Sequence, residues 1–236
     1  MKKVLIGCPT YNKQEFCLDE FIEGLRGLSY EADVIFVDNS EGDAYFKKLK
    51  KLETGRDVTV LKDVPGDSRI SRIISSRNIV RDYFLKNGYK YLLFLDTDII
   101  PPKDAVQQLL KADSDIASGV YLCRQKIGDS FHVQPAIYKP HGDTSVVTVT
   151  VEDVLPNRLM AISVCGMGCC LIRRSVLEKI SFRPLTESKS CGEDAAFCSD
   201  ARKAGFKILA NTEAKCAHIG RQETYDFKRV LSISYS

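Results

Sequence analysis

The chain has no tryptophan, three methionines and three histidines in 236 residues, and none of its nine cysteines forms a Cys-x-x-Cys pair. Each scarcity removes a class of protein. Cys165, Cys169, Cys170, Cys191 and Cys198 lie near one another, but their spacing fits no zinc ribbon or finger. An odd number of cysteines, most of them inside apolar segments, fits reduced thiols packed as small hydrophobes. No apolar run approaches the ~20 residues that a membrane-spanning helix needs. Met1 to Gly7 lead straight into strand-like sequence without a cleavable signal, so a cytoplasmic location is expected, with peripheral membrane contact left open. Lysine and arginine are scattered and the formal charge is only +3, so no nucleic-acid partner is expected. Repeats, linkers and low-complexity blocks are also missing.

What is present is an ordinary globular balance, 44% apolar and 28% charged, in a length that suits one domain with a substantial core. Short apolar runs at Val4–Gly7, Val34–Val37, Val58–Leu61, Tyr91–Leu95 and Ile116–Ser118 alternate with amphipathic stretches at Glu15–Leu28, Asp43–Leu52, Ile70–Leu85 and Lys103–Leu110. That alternation predicts an α/β fold built on a mainly parallel sheet with helices on both faces. Pro102 suits the first turn of the fourth helix. After Gly119 the pattern changes to short β-rich pieces, Val133–Lys139, Val146–Val151, Met160–Val164 and Cys170–Ile172, which make the sheet mixed. A helix over Glu193–Ala204 and a strand over Lys207–Leu209 complete the reading, with a loop at Arg183–Ser190.

Candidate chemistry sits at the ends of the apolar runs, where open α/β sheets bind ligands. Tyr91–Leu95 ends in Asp96-Thr97-Asp98 and is stopped by Pro101-Pro102. If the chain is still extended there, the two carboxylates point to one side and converge on one hard cation or one ligand; the plainer alternative is a capped turn. Cys8-Pro9-Thr10-Tyr11-Asn12 follows the first run, and Asp38-Asn39-Ser40 the second, placing a carboxylate where it can accept hydrogen bonds from a base or ribose. Either is equally a helix-entry turn or N-cap cluster. Ser76-Arg77-Asn78 puts Arg77 and Arg81 four apart on one helix face, a cationic stripe for phosphates or a solvated face. Glu193-Asp194 opens a helix, where a first-turn carboxylate is held as the anion and can accept a proton. His218 is a candidate metal ligand or base, or a structural histidine.

In this order, Pro9-Thr10-Tyr11-Asn12, Asp38-Asn39-Ser40, Ser76-Arg77-Asn78, Asp96-Thr97-Asp98, Gly166-Met167-Gly168, Glu193-Asp194 and His218 resemble the motifs of GT-A fold glycosyltransferases, nearest the family 2 type, over residues 3 to 221. The resemblance implies a nucleotide-diphosphate sugar, UDP- or GDP-linked, and a divalent cation, Mn2+ or Mg2+. It implies nucleoside contacts from Pro9, Thr10, Asn12 and Asp38. Arg77, Asn78, Asp96, Thr97 and Arg221 would complete the donor site, with Asp96, Asp98 and His218 as the metal set. Gly166, Met167 and Gly168 would let an acceptor approach closely, and Asp194, with Glu193 beside it, would deprotonate the acceptor hydroxyl. Residues 1–118 would then be the nucleotide-sugar half and 119–236 the acceptor and catalytic half.

Departures narrow the expectation. With no tryptophan, the Gln-x-x-Arg-Trp element of processive synthases is absent. Asp38-Asn39-Ser40 replaces the commoner acidic triplet and leaves the nucleotide open. Ser-Arg-Asn before the Asp-x-Asp strand is also similar to retaining mannosyltransferases, while Glu193-Asp194 favours inversion. Phe94-Leu95-Asp96-Thr97-Asp98 resembles a phosphohydrolase nucleophile motif too, although in that family it stands on the first strand. A nucleotidyltransferase lacks support because its glycine-rich amino-terminal loop is missing. A non-catalytic nucleotide-sugar-binding relative would not need Asp194.

Overall fold

The computed structural model describes residues 3–64, 66–142, 145–185 and 192–227. Eight strands build one sheet: β1 (Val4–Thr10), β2 (Asp33–Asp38), β3 (Val58–Lys62), β4 (Tyr91–Leu95), β5 (Ile116–Val120), β6 (Leu159–Ala161), β7 (Cys169–Arg173) and β8 (Ile208–Lys215), in the order β6-β8-β5-β7-β4-β1-β2-β3. β1, β2, β3 and β4 pair in parallel, as do β5 and β8; β7 runs antiparallel to both β4 and β5, and β6 antiparallel to β8. The expected mixed, mainly parallel sheet is present. Its fifth parallel strand is not beside the fourth, because β7 from the second half is wedged between them.

The unbroken apolar runs follow from cover on both faces. Along β4, Leu92 and Phe94 join one buried cluster and Leu93 and Leu95 the other. The first cluster takes Val80 and Phe84 of the Arg69–Lys86 helix and Phe197 and Ala201 of the Glu193–Lys203 helix; the second takes Phe21 and Leu25 of the Leu18–Gly27 helix and Val106 and Leu109 of the Ala105–Lys111 helix. Each fully buried Leu or Phe contributes roughly 1.5–3 kcal/mol. Gly7 lets the long helix settle on β1, since a Cβ there would stand 2.4 Å from Val80 Cγ1. Pro102 lies ahead of the Ala105–Lys111 helix, not in it, and its carbonyl closes the preceding turn onto the Ala105 amide at 3.0 Å.

Beyond the sheet, Ile99–Ile100, Ala217–Ile219 and Thr224–Tyr225 form a small antiparallel sheet that pairs His218 with Ile99. The expected Val133–Lys139 strand is two, Ser130–Pro135 in a hairpin with Leu122–Ile127, and Ile137–His141 in a separate three-stranded sheet. The helix Arg174–Lys179 carries no strong sequence signal and was not expected. The loop expected at Arg183–Ser190 lies outside the described residues from position 186 onward. No helix among the described residues is long and apolar enough to cross a membrane.

Candidate active site

The carboxyl ends of β1, β2 and β4 share one edge of the sheet, and a cleft of about 770 Å³ opens there. Its lining includes Pro9, Thr10, Arg77, Asp96, Thr97, Asp98, Met167, Glu193 and Asp194, which the sequence singles out. Lys13, Gln14, Asn39, Arg69, Arg72 and Tyr121 line it as well.

After β4 the chain does not stay extended. Thr97 and Asp98 form a turn closed by the Ile99 amide on the Asp96 carbonyl at 2.9 Å, so the two carboxylates part company instead of converging. Asp96 turns to Arg77, whose Nη2 donates to both its oxygens at 3.2 Å while Nε donates to Glu193 at 3.1 Å. The Arg77 side chain is only 4% exposed, which excludes both a solvated face and an open cationic stripe. Arg81 meets the carbonyls of Leu177 and Ile180 at 2.7 and 3.0 Å, so it too anchors structure. Burial works against the Arg77 charge, but Asp96 and Glu193 more than offset it and hold the guanidinium protonated. Burial raises the Asp96 pKa, with Arg77 opposing and Asp98 adding to the rise.

The neighbours of Arg77 in the motif build its housing. Ser76 donates to Asp63 at 2.8 Å and accepts from Asn39 at 3.0 Å. Asn78 bonds both the carbonyl and the amide of Phe182, at 2.9 and 3.0 Å, and the Phe182 and Phe94 rings flank the guanidinium at 5.9 and 5.2 Å. Asn78 therefore sits behind the site. Asp38 does so too: it is fully buried, with Lys62 Nζ at 2.8 Å and the Ser40 amide at 2.9 Å on its oxygens. Asn12 is exposed, and its backbone N–H donates to Ser40 Oγ at 2.7 Å. Thr10 and Thr97 join their hydroxyls at 3.1 Å, tying β1 to the Asp96–Asp98 turn.

Asp98 faces the other way. Its Oδ2 accepts from Gln14 Nε2 at 2.9 Å and lies 3.7 Å from His218 Nε2. The Ile219 amide donates to the Asp98 carbonyl at 2.8 Å, so the small sheet sets the histidine beside the carboxylate. His218 Nδ1 is 2.9 Å from the Leu122 carbonyl, an oxygen that can only accept, so Nδ1 carries a proton. Burial works against the imidazolium, but Asp98 more than offsets it and raises the His218 pKa, so a cation at Nε2 would take the place of a proton there. A gap of 3.7 Å exceeds a hydrogen bond but is within the ~4 Å sum of two bonds of about 2.0–2.1 Å to one ion. The carboxylate suits magnesium or manganese, while an imidazole is a ligand for first-row transition metals, so the mixed pair favours manganese. Asp98 and His218 thus fit a cation as a pair. Asp96 is turned to Arg77 and does not stand beside them, and no cluster of three metal-binding side chains occurs among the described residues. Hard cations bound by one or two protein ligands usually take their remaining oxygens from phosphates and water.

Across the cleft, Asp194 stands in the first turn of its helix, with the Ala195 amide donating to Oδ1 at 2.7 Å. The helix terminus does not dominate as expected: burial first, then the negative charge of Glu193, push the Asp194 pKa up to about 6. Near-neutral basicity suits proton transfer, and the carboxylate is still mainly ionised at pH 7. Glu193, by contrast, is committed to Arg77.

Gly166 and Gly168 do not open the surface. A Cβ on either would strike Tyr121, at 2.1 Å from its hydroxyl and 2.9 Å from Cζ, so the pair makes room for that ring; of the three residues only Met167 lines the cleft. Arg221 is also outside it, donating to the Lys13 carbonyl at 2.7 Å and resting over Phe16 at 5.1 Å. Eight of the nine cysteines fall within the described residues, all free and seven buried; Cys165 lies 3.9 Å from both Cys170 and Cys198. Burial, then Asp98 and Glu20, raise Cys17 to about 12, so it stays a thiol. Sequence reasoning missed Gln14 and Tyr121, which carry no chemical signature of their own; their only cue is adjacency to a motif and to a strand end.

No curated protein matches the chain. Among solved structures, A197 from STIV aligns with a TM-score of 0.55 at 18% identity, over 96% of this chain and 91% of that one. TarS 1-349 of S. aureus in complex with UDP-GlcNAc aligns with a TM-score of 0.55 at 17% identity, over 89% of this chain and 56% of that one. GalNAc-T7 with UDP, GalNAc and Mn2+ aligns with a TM-score of 0.67 at 14% identity, over 94% of this chain and 44% of that one. The chain thus spans about half the length of the last two. These likenesses give the GT-A fold. The sequence profile of glycosyl transferase family 2 matches residues 6–181, well over half of the chain. The protein is therefore a member of glycosyl transferase family 2.

Proposed function

We propose that the protein moves a sugar from a nucleotide-diphosphate donor to an acceptor hydroxyl, in a reaction that needs Mn2+ or Mg2+ and inverts the anomeric centre. The observation that carries this reading is the company of three groups at one cleft: Asp98, with His218 beside it just outside the lining, the Arg77-bridged pair Asp96 and Glu193, and Asp194. Asp98 and His218 would hold the cation, which when bound supplies positive charge to the leaving diphosphate. Asp194 accepts the proton of the acceptor hydroxyl. The oxygen then bonds to the anomeric carbon as the bond from that carbon to the diphosphate breaks, and the electron pair departs with the nucleoside diphosphate. Glu193 is turned to Arg77 through Oε1, and this supports Asp194 as the one base of a single displacement.

The division of labour between residues 1–118 and 119–236 extends the same reading. The Pro9–Gln14 loop, the start of the Arg69–Lys86 helix and the Asp96–Asp98 turn would bind the donor, while Tyr121, Met167 and Gly192–Asp194 would receive the acceptor. TarS with UDP-GlcNAc and GalNAc-T7 with UDP and Mn2+ make UDP and manganese the first pair to test. Calorimetry with UDP, GDP, CDP and dTDP, each with Mn2+ and with a chelator, is expected to find one nucleotide that binds only with the metal. Equal binding in chelator removes the cation from the reading; no binding to any nucleotide removes the donor site.

A further inference from the structure

Gln14 supplies the one side-chain hydrogen bond that Asp98 receives among the described residues, from Nε2 to Oδ2 at 2.9 Å. A carboxylate only accepts, so the amide presents its NH2 group here, and each carboxylate oxygen has two acceptor positions. The oxygen that Gln14 holds is also the one 3.7 Å from His218 Nε2. Gln14 thus fills one position on Oδ2 and fixes the rotation of the carboxylate, leaving the second position for whatever His218 Nε2 also binds.

The turn that carries Gln14 is itself pinned. The Cys17 thiol reaches the Gln14 carbonyl at 3.2 Å and the Thr97 carbonyl at 3.3 Å, so one donor spans the Asn12–Cys17 turn and the Asp96–Asp98 turn. Arg221 ties the adjacent Lys13 carbonyl to the segment that follows His218, at 2.7 Å. Both sides of the Asp98–His218 pair are therefore referenced to the short element bearing Gln14. A residue needed only for packing would not require an amide here, because Gln14 is half-exposed at the cleft wall.

We infer that Gln14 is a positioning residue for the divalent cation: its amide orients Asp98 so that Oδ2 and His218 Nε2 can serve one ion. This rests on the cation-binding reading of Asp98 and His218. Partners that orient a ligating group typically change metal affinity 10–100-fold when removed. The test is titration of the full chain with Mn2+ alone, followed by the electron paramagnetic resonance of free Mn2+, for the wild type, Gln14→Met, Gln14→Asn and Asp98→Asn. Methionine keeps the length without a donor, and asparagine keeps the amide on a side chain one methylene too short. Both are expected to bind Mn2+ about 10–100-fold more weakly, with thermal midpoints near the wild-type value, while Asp98→Asn loses binding. Wild-type or tighter affinity in both Gln14 variants, with Asp98→Asn still inactive in binding, overturns the role of Gln14 and leaves the site intact. Failure of the wild type to bind Mn2+, or undiminished binding by Asp98→Asn, overturns the site and the inference with it.

Discussion

Asp96 and Asp98 stand two residues apart on one turn, yet their charges are handled in opposite ways. Asp96 is paired from within with Arg77, a buried guanidinium shared with Glu193. Asp98 has no Lys or Arg partner among the described residues; a neutral amide and an imidazole are its company. The turn at Thr97 causes the split, because an extended chain would send both carboxylates the same way. The difference separates two duties: the Asp96 side joins a strand, a helix and the base-bearing helix, and the Asp98 side leaves a negative charge for an external cation.

The sharpest way to break this contrast is to remove the internal cation. Arg77→Met strands Asp96 and Glu193 without their counter-charge in a poorly hydrated place, and such losses cost roughly 3–5 kcal/mol. For a domain of this size that corresponds to a fall in thermal midpoint on the order of 10 °C. Differential scanning fluorimetry or urea unfolding measures it. A midpoint within a degree or two of wild type would mean that Arg77 is not the keystone of the Asp96 side.

Asp194→Asn tests how the two sides meet at the base. Turnover is expected to fall at least ~100-fold, the usual worth of a general base, with nucleotide affinity changed only a few-fold. The same change should stabilise the fold, by an amount that depends on pH. The Asp194 pKa is about 6 in the folded chain against 3.8 as the ordinary value, so between these limits the folded state binds more protons than the unfolded one. Stability contributed by this group then falls as pH rises through that window, and the penalty is complete above about 6. Asp194→Asn should therefore melt higher than wild type at pH 7.5 and lose that advantage near pH 4. An advantage that grows on acidification would reverse the assignment of burial as the cause. Wild-type turnover with asparagine at this position would remove Asp194 from the mechanism.

The same contrast explains what the sequence could and could not reveal. Strands β1 to β4 and the helices between them were legible because βαβ units bury unbroken apolar runs against amphipathic helices that are close in sequence. The insertion of β7 between β4 and β5 was not, since Cys170–Ile172 reads only as buried and its partners are decided by distant pairing. Helical spacing correctly put Arg77 and Arg81 on one face but could not show that Glu193, 116 positions away, awaits the first of them. His218 stood out by residue type, while its place beside Asp98 depends on a two-residue strand at Ile99–Ile100 that no periodicity marks. Asp38 stood out by position, and Lys62 at the end of the neighbouring strand turned it into a buried ion pair.

The smallest expected effect on stability belongs to Asp98, and it is the most discriminating. Asp98→Asn removes a charge whose nearest basic group among the described residues is His218 Nε2, 3.7 Å away, and the Asp98 side chain is about one-fifth exposed. An amide oxygen can still accept from Gln14, so the hydrogen bond survives. Surface-type changes of this kind shift stability by about 0.5 kcal/mol or less, and relief of repulsion toward Asp96, whose pKa Asp98 helps to raise, offsets part of even that. Mn2+-dependent nucleotide binding should nevertheless disappear, because a neutral oxygen is a far poorer ligand for a hard dication than a carboxylate. The paired measurement is urea unfolding beside calorimetry with UDP and Mn2+. If Asp98→Asn instead unfolds as readily as Arg77→Met, the two carboxylates are equivalent structural charges and the contrast collapses; stability kept while metal-dependent binding is lost is the signature of a charge left free for its ligand.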